Sequence, residues 1–316
     1  MKIVLITNCP NDVNVNDPSK CFQRVRSMAS NVIECYDVEN TFNHAEEADV
    51  ILLPGCNSMW PSFWEEVCKY IDGLTTPKVM FHTDSYKTPW PGGRSPIKID
   101  AIVPSQLSAL ASCQHGLEFD RVFWSPCCID LKYNGESKDI DILFWGNPAL
   151  PVYPFRNYIL RELVRYSNLE KIENSLIVNA LHLPHSEGVI WPYHRLPSHN
   201  GKYYGRQLYP LLIRAKVSPT GSSKFYVPVA RYFENAACGV VSLTNEFDDM
   251  QALGFDHGVN IWITTEGKFI EDLMFLLKNE SLVKEMSVNA RRLVAERHTV
   301  SVRASQLSNF LEEVAK

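Results

Sequence analysis

The stretch Ser218–Asp248, SPTGSSKFYVPVARYFENAACGVVSLTNEFD, decides how the rest of the chain is read. It runs as a polar loop, a short helix opened by Pro228, a stop at Gly239, a buried strand over Val240–Leu243 and a second polar loop. Proline suits a first helical turn, where its missing N–H costs nothing, and glycine suits the position just past a helix end. Arg231 and Glu234 stand three residues apart, so a helix projects both from one face near the loop. A cation and a carboxylate beside a helix N-terminus suit a diphosphate and a pair of sugar hydroxyls. The same spacing also fits a plain surface ion pair on a βα unit.

Upstream of this stretch the pattern repeats. Ile140–Trp145 (IDILFW) reads as a strand ended by Gly146-Asn147, and Phe155–Tyr166 as the helix that follows, with Arg156 in its first turn. Glycine at a strand end followed by arginine fits a phosphate site, although Gly-Asn is also a common turn. Ser175–Leu181 reads as a strand and Leu208–Ala215 as a helix. Between them, residues 182–204 hold His182, His185, His194 and His199 at spacings that match no standard metal motif. Downstream, amphipathic helices are expected over Glu266–Lys278, Leu282–Arg297 and Val300–Val314, the last with Val302, Leu307, Phe310, Leu311 and Val314 on its apolar side.

The first part of the chain alternates short apolar runs with helical patterns. Strands are expected at Ile3–Ile6, Val32–Tyr36, Val50–Leu53, Val79–Phe81, Ala101–Val103 and Val122–Trp124, and helices near Pro18–Ser30, Pro61–Ile71 and Gln106–Cys113. Strands spaced by helices imply parallel pairing in a doubly wound α/β domain, with ligands beyond the carboxyl ends of the strands. One strand-end loop, HTDSYKTPWPGGRSPIK, brings out His82 and Asp84, then Tyr86, Lys87, Trp90, Arg94 and Lys98. Basic and aromatic residues interleaved on a loop suit backbone and base contacts to nucleic acid. A solvated loop with its tryptophan tucked inward is the alternative. Asp84 is placed to act as a general base at a cleft, or else as a helix cap or turn former.

The 316 residues divide at a polar link, Lys132–Asp139. The expected organisation is residues 1–135 as one domain, 136–299 as a second and 300–316 as a C-terminal helix packing back on the first. A 45% hydrophobic and 21% charged composition is that of a globular chain, not of a disordered one. MKIVLITNCP is too short and wrongly flanked for a signal peptide or membrane span, so it reads as a buried strand of a cytoplasmic protein. Nine scattered cysteines without a C-x-x-C spacing indicate reduced thiols and no zinc site. Residues 1–135 carry 11 Lys+Arg against 16 Asp+Glu, and the remainder balances, so any polyanion must meet a local basic patch.

With these pieces in place the chain resembles the GT-B glycosyltransferases, in which two facing Rossmann-like domains hold an active site in the cleft between them. ARYFENAACGVVSLTNEFDD looks like the nucleotide-sugar signature of that superfamily. Its retaining members carry a second glutamate eight residues before the first, and here that position is Tyr226. A closer similarity is to the phage DNA glycosyltransferases that add glucose or arabinose to 5-hydroxymethylcytosine. MKIVLITN, FHTDSYKTPW, IDILFWGN followed by Arg156, VARYFENAACGVVSLTNEFD and LLKNESLVKEM carry it, in order, as short motifs across nearly the whole chain.

The resemblance implies a UDP-sugar donor, a double-stranded DNA acceptor bearing hydroxymethylated cytosine, host-cytoplasmic location and an inverting transfer. It places the catalytic base on Asp84, phosphate contacts on Gly146, Arg156 and Arg231, and the ribose on Glu234. Tyr86, Lys87, Trp90, Arg94 and Lys98 then become candidates for DNA contact once the base leaves the stack. The scheme needs no metal, though a divalent ion could assist product release. The alternative acceptor is a cell-surface or spore polysaccharide, which the acidic first domain suits.

Overall fold

The computed structural model describes residues 1–6, 32–35, 37–54, 64–82, 97–108, 119–129, 138–146, 148, 150–170, 176–180 and 209–316. The expected helix over Pro18–Ser30, most of that over Gln106–Cys113, most of the polar link and the histidine-rich segment lie outside these residues. So do Asp84, Tyr86, Lys87, Trp90 and Arg94. The described residues form two compact units, Met1–Cys128 with Thr299–Lys316, and Ile129–His298.

The first unit is built on six parallel strands: β1 (Ile3–Ile6), β2 (Val32–Cys35), β3 (Val50–Pro54), β4 (Lys78–His82), β5 (Ala101–Pro104) and β6 (Arg121–Val122), in the order β2-β1-β3-β4-β5-β6. Its central strands read as unbroken apolar runs because both faces are covered. Alternate side chains divide between the faces. Val4, Ile6, Ile51, Leu53 and Met80 pack with Ala45 of α1 (Val38–Ala45) and with Val67, Cys68 and Ile71 of α2 (Trp64–Asp72). Ile3, Leu5, Val50, Leu52, Val79 and Phe81 pack instead against Leu307, Leu311 and Val314 of the last helix of the chain, Val300–Val314. That helix is capped by Thr299, whose hydroxyl accepts from the Val302 N–H at 3.2 Å. Its Phe310 stacks on Phe123.

The second unit is a five-stranded parallel sheet of β7 (Ile140–Gly146), β8 (Leu176–Ala180), β9 (Ala215–Pro219), β10 (Val241–Thr244) and β11 (Trp262–Ile263), ordered β11-β10-β9-β7-β8. Its helices are α3 (Pro154–Glu170), α4 (Tyr209–Leu212), α5 (Ala230–Ala237), α6 (Met250–Leu253), α7 (Phe269–Lys278) and α8 (Glu280–Arg297), which makes Val300–Val314 α9. One sheet face buries Ile142, Phe144, Val217, Val241 and Leu243 against Phe155, Ile159 and Leu163 of α3, Leu273 of α7 and Met286 of α8. The other packs Leu143 and Trp145 with Leu212 of α4 and Cys238 at the end of α5.

Several expectations are corrected. The helix expected over Leu208–Ala215 is only Tyr209–Leu212, and Ala215 opens β9, a strand inside the sheet where helix and loop are expected. AKVSP is too polar to announce itself as a buried strand; it is extended because β7 and β10 hydrogen-bond it from both sides. α5 starts at Ala230, two residues after Pro228, with Val229 in the capping position. The expected strand Val122–Trp124 pairs only over Arg121–Val122. Glu266–Lys268 forms a separate 3₁₀ turn before α7. Helix α1 adds to the expected elements: VENTFNHA carries only Val38, Phe42 and Ala45 at helical spacing, and its start is set by Asp37, which accepts from the Asn40 N–H at 2.8 Å.

Because Leu307 lies fully buried on the first sheet, Leu307→Ala should destabilise that unit by about 2–4 kcal/mol. Urea denaturation followed by far-UV circular dichroism measures this, and a loss below about 1 kcal/mol would mean that α9 contributes little to the core.

Candidate active site

In the second sheet the strand order reverses at β7. From β7 the chain adds β8 on one side, then returns to place β9 on the other. Parallel sheets bind ligands outside the carboxyl ends of strands at such a reversal, where the loops diverge. The residues emerging there are Gly146 from β7 and Thr220-Gly221 beyond β9.

Gly146 has φ +98, a left-handed conformation in which an L side chain is strained. The space around it demands glycine as well. A Cβ at this position would lie 1.7 Å from Arg231 Nη2, because the Arg231 guanidinium rests directly over the Gly146 backbone. The same guanidinium lies 4.8 Å from the ring centre of Trp145.

Trp145 is in turn held from below. Its Nε1 donates to Asn235 Oδ1 at 3.1 Å, and Asn235 Nδ2 donates to Ser242 Oγ at 2.9 Å. Asn235 sits one turn after Arg231 on α5, so a single helix supplies both the cation and the amide that locks its platform. The inner face of α5 is secured by Tyr232, which bonds Thr244 at 3.2 Å and stacks on Phe247. Burial pushes the Tyr232 hydroxyl up to about 12, so it stays protonated. Gly239, with φ +64, ends the helix as the sequence predicts.

Arg156, third residue of α3, is only 2% exposed. Its Nε donates to Gly221 O at 2.7 Å and its guanidinium covers the Tyr153 ring at 3.8 Å. Burial pulls its pKa down. Arg231 is pulled down too, first by burial and then by the positive charge of Arg156, with Tyr153 and Glu234 acting in the opposite sense. The Arg231 Nη1 is buried without a hydrogen-bond partner among the described residues. The two arginines expected for phosphate are therefore brought within electrostatic reach of each other, and Glu234 joins them from the next turn of α5. The first turn of α5 has no side-chain cap, and its Tyr232 N–H turns back to Val229 O at 3.1 Å.

Sequence reasoning missed the support. Asn245, just past β10, accepts the Ser222 N–H at 3.1 Å and donates to Ser222 Oγ at 2.9 Å, which fixes the loop carrying Gly221. Lys224 N–H donates to Val152 O at 2.8 Å and holds the same loop to the approach of α3. The available signal was an Asn at a strand end, one of many in the chain. Tyr226 is exposed with φ +55, its carbonyl accepting from the Asp248 N–H at 2.7 Å. In the first unit Lys98 is exposed and lies 3.6 Å from Asp100 and 4.0 Å from Asp120, so local carboxylates already neutralise it.

Residues 138–309, more than half of the chain, match the Glycosyl transferase-like family model. The chain belongs to this glycosyltransferase family. The match includes Gly146, Arg156, Gly221, Arg231 and Glu234. Among solved structures, the fold is similar to Anabaena Alr3699/HepE in complex with UDP, at 12% identity and a TM-score of 0.69 over 99% of this chain and 100% of that one. Sucrose-phosphate synthase from Thermosynechococcus elongatus matches at 11% identity and a TM-score of 0.67, over 99% of each chain. A chain of the GtfA/B complex matches at 13% identity and 0.56 over 85% of this chain; there the chain spans only 58% of the relative's length. No curated protein matches the chain in sequence. The fold is thus the GT-B class, with a Rossmann-like parallel sheet in each unit. Among the described residues, no helix is long and apolar enough to cross a membrane, and no cluster of three His, Cys, Asp or Glu could hold a metal ion.

Gly146→Ala should displace Arg231 and force a left-handed alanine, costing about 1–3 kcal/mol of stability. Differential scanning calorimetry reads the change, and an unaltered melting temperature would contradict the close approach of the guanidinium.

Proposed function

We propose that this chain is a UDP-sugar-dependent glycosyltransferase that seats the donor diphosphate at the carboxyl ends of β7 and β9. One observation carries the reading: the Arg231 guanidinium, fixed on Trp145 and Gly146, holds a buried Nη1 without a partner among the described residues while the charge of Arg156 acts on it. Burying like charges together is unfavourable, and a dianionic bridge between such groups relieves it. Uridine as the nucleoside is supported by the HepE relative, which holds UDP.

In this scheme the second unit binds the nucleotide sugar and the first binds the acceptor. Glu234, one turn from Arg231, accepts from the two ribose hydroxyls. An acceptor hydroxyl attacks the anomeric carbon, a new C–O bond forms and the bond to the diphosphate oxygen breaks. The hydroxyl proton passes to the Asp84 carboxylate, and UDP leaves with its charge met by Arg231 and, at longer range, Arg156. Attack from the side opposite the leaving group inverts the anomeric centre. Tyr226 at the position of the second glutamate of retaining enzymes favours this outcome.

The acceptor reading is the hydroxymethyl group of modified cytosine in double-stranded phage DNA, with glucose or a pentose such as arabinose as the sugar. Its support is the FHTDSYKTPW segment and the basic, aromatic loop of Tyr86, Lys87, Trp90, Arg94 and Lys98. A polysaccharide acceptor is favoured by the excess of five acidic groups in residues 1–135 and by the pairing of Lys98 with Asp100 and Asp120. Duplex DNA containing 5-hydroxymethylcytosine, incubated with mixed UDP-hexoses and UDP-pentoses, tests the first. A mass gain on the modified nucleoside is expected, and no gain despite tight UDP binding would shift the acceptor to a polysaccharide.

Two variants separate the roles. Glu234→Ala should weaken UDP binding roughly ten-fold or more, as loss of charge-assisted hydrogen bonds does. Asp84→Asn should leave UDP affinity unchanged and lower kcat by roughly 10²–10⁴. Isothermal calorimetry and steady-state kinetics read both, and the reverse pattern would overturn the assignment.

A further inference from the structure

Beneath α5 the polar groups of the sheet are nearly all accounted for. Trp145, Asn235 and Ser242 form one chain of hydrogen bonds, and Tyr232 and Thr244 form a second pair. Two hydroxyls stand apart. Ser218 Oγ and Thr220 Oγ1 are buried and have no hydrogen-bond partner among the described residues. Thr220 is only 1% exposed.

Their place follows from the register. Ser218 pairs with Ser242 in β10, so its side chain shares the α5 face of the sheet. The Thr220 N–H donates to Leu243 O at 2.9 Å, which continues the ladder one residue past β9. Side chains two apart in an extended strand share a face, so Thr220 stands above Ser218 at the strand end. On the other side β9 pairs with β7 as Ile140 with Ala215 and Ile142 with Val217. Near the end of β7, Trp145 lies on this same α5 face, bonded to Asn235. The Arg231 guanidinium lies on Trp145 and Gly146. Thr220 and the Arg231 guanidinium thus stand at the carboxyl ends of the adjacent strands β9 and β7, on the same side of the sheet.

We propose that Thr220 is a diphosphate-binding residue whose hydroxyl donates to the same phosphate group as Arg231 Nη1. This rests on the reading of the site as a UDP-sugar site. A phosphate oxygen accepts several donors at once, whereas a buried hydroxyl without a partner destabilises the protein. Ser218 lies one residue pair deeper along the strand and is out of reach of the same ligand.

The test uses the full chain and compares Thr220→Val with Thr220→Ser. Valine keeps the volume and removes the hydroxyl; serine keeps the hydroxyl. Calorimetric titration with UDP and with uridine, which lacks phosphate, separates the diphosphate contribution. Thr220→Val should weaken UDP binding roughly ten- to hundred-fold, leave uridine binding unchanged and leave the unliganded melting temperature equal or higher, because a buried orphan hydroxyl is gone. Thr220→Ser should keep the affinity of the natural chain. Unchanged UDP affinity in Thr220→Val would overturn the proposal and assign the hydroxyl to a buried water. An equal loss for UDP and uridine would also overturn it, since that pattern marks a general distortion. A natural chain that binds no UDP would instead bring down the reading of the site itself.

Discussion

The contact on which the site depends is the seating of one guanidinium, that of Arg231, on an indole ring and a glycine backbone. Every neighbouring choice follows from that closeness. Residue 146 must lack a side chain, and Trp145 must hold its ring flat beneath the charge. The indole can do so because Asn235 ties its N–H, and Asn235 can do so because Ser242 takes its amide. Since Asn235 and Arg231 belong to the same short helix, any shift of α5 moves the charge and its platform together. The buried polar chain thus trades some core stability for a fixed cation.

Electrostatics explain why such rigidity is needed. Two arginines within reach of each other in a desolvated setting would separate if either were free to swing outward. Arg156 is tied by Gly221 O and by the face of Tyr153, and Arg231 by its platform. Both are disfavoured as cations by burial, and Arg231 further by its neighbour. Groups held in opposition in this way cluster where a protein binds or transforms charge. Asn245 and the loop it clamps complete the frame by setting Gly221 where Arg156 can use its carbonyl.

Much of this was legible in the sequence, for identifiable reasons. Strands buried on both faces, such as IVLI, VILLP and IDILFW, announce themselves as apolar runs, and the glycine that ends α5 marks its own position. Arg231, Arg156 and Gly146 each stand at a helix start or strand end where few residue types fit, and Glu234 follows from its three-residue spacing to Arg231. β9 did not emerge: Ala215–Pro219 is held extended by its neighbours rather than by its own side chains. α1 is so short that its apolar face is only Val38, Phe42 and Ala45. The contributions of Trp145, Asn235 and Asn245 come from partners 7 to 90 residues away, and no local pattern encodes such pairings.

The most direct test of the central claim is a crystal structure of the protein with UDP. The account predicts the diphosphate at the carboxyl ends of β7 and β9, within hydrogen-bond distance of Arg231 Nη1, with the guanidinium still on Trp145. A diphosphate bound elsewhere on the chain, or one seated without Arg231, would contradict it.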